Sequence, residues 1–151
     1  DSPAGIEKGA YLAMYFADKA VVVVNPEVSS VRDSDRILGL LASKTRRAET
    51  GDGEVTAYLL LTRYSPQRVE NGEMLSITDV EEVLGLKTIG VVPESGDVLN
   101  ASNKGEPVIM DAESNAGQAY DDAVARLLGE QRPMRFTHLE KKGFFSKLFG
   151  G

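Results

Sequence analysis

Three short apolar runs, each closed by a turn and each followed by a helical pattern, constrain the fold of this 151-residue chain more than any other feature. The first, Ala20-Val21-Val22-Val23-Val24, is a continuous run, the pattern of a strand buried on both faces. Asn25-Pro26 breaks it. The second, Thr56 to Tyr64, centres on Leu59-Leu60-Leu61 and ends at Ser65-Pro66. The third, Thr88-Ile89-Gly90-Val91-Val92, ends at Pro93.

The intervening stretches read as helices and loops. Ser29 or Ser30 caps a helix running to about Arg47, with Val31, Ile37, Leu38 and Leu41 as its buried stripe. Ala48 to Glu54 reads as a loop, as does the stretch around Arg68 and Asn71-Gly72. Thr78-Asp79 caps a short helix through Leu84. Asp97 to Asn103 reads as a helical turn closed by Lys104-Gly105, and Pro107 to Met110 as extended. Ala112 to Gly129 is a strong amphipathic helix, with Ala119, Tyr120, Ala123, Val124, Leu127 and Leu128 turned inward. This alternation predicts an α/β fold, a parallel sheet with crossover helices. Ligands of such sheets sit at the carboxyl ends of the strands. Those ends here are Asn25-Pro26, Thr62-Arg63-Tyr64 and Pro93-Glu94-Ser95.

The body, residues 1–130, passes through a mostly polar linker, residues 131–140, into an unusual tail, residues 141–151. At about 100° per residue, Phe144, Phe145, Leu148 and Phe149 share one helix face. Lys142 and Lys147 flank it, where their stems can lie along apolar surface with the ammonium groups in water. From His138 onward the chain holds three lysines and one glutamate, a charge of +2. The whole chain is −6, which leaves −8 for the rest. A helix lying flat on anionic lipid has this pattern; a terminal helix docked on the protein's own core is the alternative. The acidic balance argues against nucleic acid as a partner. No cysteine is present and His138 is the single histidine, which excludes thiolate chemistry and argues against a zinc site or a Ser-His-Asp triad.

Few residues carry chemistry on their own. Asp1-Ser2-Pro3-Ala4-Gly5 resembles a strand end followed by a phosphate-site loop, where an aspartate holds a water near Mg²⁺ or positions an attacking one. An Asp-Ser-Pro turn is equally a common structural device. No Gly-x-x-x-x-Gly-Lys-Ser/Thr motif occurs, so these 151 residues lack that phosphate cradle. Arg63 has two readings, stacking on an adenine or pairing with a loop carboxylate. Asp33 and Asp35 read as carboxylates at the positive start of a helix, or as a solvated helix face. Met74 reads as an exposed contact for a partner or as a core gap-filler.

Together these segments resemble the MinD branch of the deviant Walker A ATPases, the family that includes ParA. The resemblance rests on residues 1–7, on residues 25–35 (Asn-Pro-Glu-Val-Ser-Ser-Val-Arg-Asp-Ser-Asp), on Leu59 to Tyr64, on residues 101–108 and on the Lys-Lys-Gly-Phe-Phe tail. It implies a three-layer parallel sheet of the P-loop NTPase type, incomplete at its N-terminal side. It matches the C-terminal part of the family, without the Walker A segment, and implies that the chain is a piece of a longer protein. It implies ATP and Mg²⁺ as cofactors, with Asp1 near the metal through water and the attacking water. Arg63, Pro93 and Glu94 would fall in the adenine pocket. Glu7, Asp33, Asp35 and Met74 would lie on or near the surface shared by a second subunit and by the partners MinC and MinE, and Asp33 would meet the Walker A lysine across the ATP dimer. The tail would be a membrane-targeting helix on anionic lipid. The expected whole is a bacterial cytoplasmic ATPase, peripheral on the inner face of the cell membrane. It would place the division septum as an ATP-dependent homodimer, recruiting MinC and leaving when MinE stimulates hydrolysis. A chromosome- or flagellum-positioning ATPase and a non-catalytic membrane-bound adaptor are the rival expectations.

Overall fold

A computed structural model describes residues 8–138. Asp1, Glu7 and the tail residues Lys142, Phe144, Phe145, Lys147, Leu148 and Phe149 lie outside the described residues. Three parallel strands form the sheet in the order β1 (Lys19–Val24), β2 (Thr56–Tyr64), β3 (Thr88–Pro93). Val22 faces Leu59 and Val24 faces Leu61 across β1 and β2; Leu60 faces Gly90 across β2 and β3, with register shifts on either side of Leu60–Leu61.

Seven helices accompany them among the described residues: α1 (Lys8–Tyr15), α2 (Val28–Ser43), α3 (Arg46–Thr50), α4 (Pro66–Glu70), α5 (Ile77–Leu84), α6 (Gly96–Lys104) and α7 (Asn115–Leu127). The connection between β1 and β2 runs through α2, and that between β2 and β3 through α5, as parallel pairing requires. Side chains alternate along β2, so Leu59 and Leu61 pack with Val22, Val24, Val31, Val80 and Leu84 under α2 and α5. Leu60 points the other way, into a smaller core with Val92, Ala116, Ala119 and Ala123 under α7. The result is three layers, helix–sheet–helix.

The structure corrects several expectations. Helix α2 begins at Val28 after Glu27, so Ser29 and Ser30 sit inside its first turn and do not cap it. Asp33 and Asp35 therefore lie beyond the first turn, past the reach of the helix's positive end. Helix α5 is capped by Ser76, not Thr78; Ser76 and Asp79 bond each other's backbone N–H in a capping box. Residues 108–110 form a 3₁₀ turn rather than an extended segment. Helix α2 ends at Ser43, short of Arg47; α3 straddles the end of that expected helix and the start of the expected loop at Ala48, and the stretch around Arg68 contains α4.

The inward face of α7 is also rotated from its expected position. Ala116, Ala119, Asp122 and Ala123 face the sheet, whereas Val124 and Leu128 are exposed. Gly90 makes that closeness possible: a Cβ there would lie 2.5 Å from the Ala123 Cβ and 2.8 Å from Leu60 Cδ1. The run Ala20–Val24 is not buried on both faces. Val22 and Val24 are inside, but Val21 and Val23 are 39% and 59% exposed.

Candidate functional site

The three strands end side by side, and their ends are tied together. Asn25 follows β1, and its Oδ1 accepts a 2.9 Å hydrogen bond from the Thr62 hydroxyl on β2. Tyr64 at the end of β2 lies beside Pro93 at the end of β3. The Glu94 N–H donates to the Tyr64 carbonyl at 3.0 Å. Arg63 then reaches across, with its guanidinium 3.4 Å from Glu94 Oε1. Arg63, Pro93 and Glu94, distant in sequence, are neighbours at the carboxyl edge where a parallel sheet binds its ligands.

Arg63 sits at φ 55°, the left-handed region that a non-glycine residue seldom adopts. Such a conformation costs about 1–3 kcal/mol and persists where the surroundings impose it, often at binding sites. Its ion pair does not supply that energy. Both side chains are about half exposed or more, and exposed pairs contribute roughly 0.2–1 kcal/mol. The carboxylate-paired reading of Arg63 thus describes the structure, and the pair is weak enough for the flat guanidinium to meet a ring instead.

Asp33 and Asp35 are exposed on α2, and Asp33 lies 3.8 Å from Arg36 one turn on. They occupy a solvated face. Met74 is buried, with its Sδ accepting the Ser65 N–H at 3.4 Å, so it fills the core under α4 and is no exposed contact in this structure. Among the described residues no group of three or more His, Asp or Glu is placed to hold a metal ion.

A second polar cluster went unread in the sequence. Asp122 is buried on the inward face of α7 and meets three arginines. Arg135 Nε donates to its Oδ2 at 2.6 Å, Arg132 to its Oδ1 at 3.4 Å, and Arg126 lies 4.0 Å away. Burial pushes the Asp122 carboxyl up. The bond and charge of Arg135, with Arg126 and Arg132, outweigh that and hold it below the ordinary carboxylate range. Arg126, in turn, donates to the backbone carbonyls of Ile89, Arg132 and Pro133. The stretch 131–136, expected as a linker, is therefore held against α7. The available signal was the second of two adjacent aspartates, three residues after Ala119 and so on its face, but centring the stripe on Tyr120 and Val124 turned it outward.

No protein-family model matches the chain. It is 64% identical over all 151 residues to the septum site-determining protein MinD of Escherichia coli (strain K12), of which it covers 56%. It is 62% identical over 151 residues to the protein of that name from Neisseria meningitidis, covering 55%. Among solved structures it resembles the MinD cell division protein of Aquifex aeolicus, with a TM-score of 0.78 and 42% identity over 89% of this chain and 54% of that one. The MinC:MinD cell division protein complex of the same organism matches equally well, over 89% of this chain and 52% of that chain. The chain thus spans a little over half the length of the curated relatives it matches.

Proposed function

From the premise that this chain belongs, over the stretch it spans, to the MinD family of the P-loop NTPase fold, we propose that the protein carrying it is a membrane-associated ATPase that places the division septum. The observation that supports this most is a similarity that runs through all 151 residues without a gap in coverage. ATP binding joins two subunits, each presenting one amphipathic tail. Two weak anchors on one body hold a membrane far more firmly than one. The bound dimer recruits MinC, and MinE-stimulated hydrolysis parts it, so the protein resides on the inner face of the cell membrane only while it holds ATP.

The residues fit one end of the nucleotide. Arg63, with Pro93 and Glu94, offers a planar cation beside an apolar ring at the carboxyl edge, suited to the base. The phosphates need the backbone cradle and lysine of a phosphate loop, a motif these 151 residues lack. The 151 residues by themselves are therefore expected to be inactive, and Asp1 acts, through water on Mg²⁺, only beside a phosphate loop. In the dimer, Asp33 meets the lysine of that loop from the other subunit. Its exposure leaves it free for such a contact.

Purified protein of its relatives' full length, carrying this sequence, should hydrolyse ATP and sediment with anionic vesicles only when ATP is present. Asp33→Ala should lower ATP-dependent dimer formation in light scattering. Turnover by the 151 residues alone, lost in Asp1→Ala, would contradict the division of labour. ATP-independent vesicle binding without turnover in the longer protein would favour the adaptor reading.

A further inference from the structure

The path of the chain after α7 can be traced from its bonds. Ser114, which caps α7, bonds the Asp97 carboxylate just beyond the carboxyl end of β3, whereas Arg126 near the other end bonds Ile89 at the amino end of β3. Helix α7 thus runs from the carboxyl edge of the sheet to the amino edge. The following segment turns back. Arg132 and Pro133 present their carbonyls to Arg126, but Arg135 reaches Asp122 and then Gln118, with 2.7 Å to the Gln118 Oε1. Arg126 to Gln118 is two turns of helix, about 12 Å at 1.5 Å per residue. Phe136 then sits at φ 61°, in contact with the Arg135 guanidinium, 5.5 Å from ring centroid to Cζ. Met134 and Phe136 close over Val91 and Ala119 beside the buried carboxylate.

We infer that Asp122 and Arg126 are positioning residues for the tail: they fold residues 132–136 back along α7, so that the chain leaves the body heading toward the carboxyl edge of the sheet. The inference rests on the membrane reading above for its purpose, but not for its geometry. A polar linker free from Glu130 onward would let the tail wander round the whole body. Pinning it through Phe136 shortens the leash from ten residues (131–140) to four (137–140) and sends both tails of a nucleotide-joined pair out near the edge where the subunits meet. Effective concentration falls roughly as the −3/2 power of leash length, so releasing the strap costs the second tail about fourfold.

These 151 residues hold no cysteine, so once any cysteine elsewhere in the longer protein is replaced, introduced ones label single sites. Spin labels at His138→Cys and Asn103→Cys, in the full-length protein carrying this sequence, should give one narrow distance distribution. Asp122→Asn should broaden it. Arg135→Gln should broaden it too, and keeps the fold testable because Asp122 retains Arg132 and Arg126. In both variants ATP-dependent vesicle sedimentation should weaken about fourfold, with binding in the absence of ATP unchanged. Narrow distributions in both folded variants would overturn the clamp. Broad distributions with unchanged ATP-dependent binding would overturn its positioning role. A parent protein that binds no vesicles would sink the membrane reading instead, and the distance distributions would still decide the clamp.

Discussion

The two edges of this sheet carry similar apolar sequences and have opposite surroundings. At β3 every residue except Pro93 is buried, and α7 covers the face that Leu60 and Val92 present. At β1 the same face carries Val21 and Val23, and both are open to solvent. Geometry explains the difference. A helix with its side chains is about 10 Å across and strands lie about 4.8 Å apart, so one helix covers two strands and leaves the third. On the opposite face α2 and α5 together cover all three strands. An apolar run reports that a strand is made to be covered; it does not report by what. The relatives are longer than this chain, and under the function proposed above the open β1 face is where a further part of such a protein would pack.

The largest effect should come from the closed side. Leu60→Ala empties a buried position between β2 and α7 and should cost about 2–5 kcal/mol in urea unfolding. A cost below 1 kcal/mol would mean that α7 is loosely seated and that the two sides differ little. Gly90→Ala should cost about 1–3 kcal/mol, because the new methyl meets Ala123 and Leu60 inside ordinary contact distance. Substituting Ser at Ala123 would leave that strain in place, so it should not rescue.

Acid should sharpen the contrast. The native Asp122 carboxyl titrates below its unfolded value, so its contribution is present in full above the unfolded value and is lost as pH falls through the native one. The strap should therefore stay bound through the ordinary aspartate range and release below it. Amide exchange of residues 134–136 against pH would show this, and release near neutral pH would contradict the pairing. The smallest effect belongs to the open side. Val23→Thr should change stability by less than about 0.5 kcal/mol in these 151 residues. In a chain completed to its relatives' length the same change should cost more than that, and equal costs in both would break the comparison.

Much of the fold was legible because strand signals are local. The second run matched β2 at both ends and the third missed β3 by one residue. The positions of Arg63, Pro93 and Glu94 at one edge followed from the strand ends alone. What escaped depends on tertiary contact. The five-residue helices α3 and α4 are too short to show a period, and each is held by its cap, Thr45 or Ser65. The face of α7 is set by the close approach at Gly90, which admits alanines and turns the larger Val124 outward. A polar stretch with two arginines, Arg132 and Arg135, downstream of a helix reads as solvated until Asp122 is seen buried beneath it. The exposure of Val21 and Val23 was the reverse error, since a β-branched run states a preference for burial that the described residues do not satisfy.

Amide exchange at Val21–Val24, measured relative to Ile89–Val92 in the same sample, tests the central claim most directly. The internal reference removes differences in overall stability. In the 151 residues alone, β1 should exchange much faster than β3. In a protein completed to its relatives' length the account predicts that the gap closes by about tenfold or more, as the covered face raises local protection by at least 1.4 kcal/mol. An unchanged gap in the completed protein would contradict it, and would mean that the β1 face stays open in the working molecule.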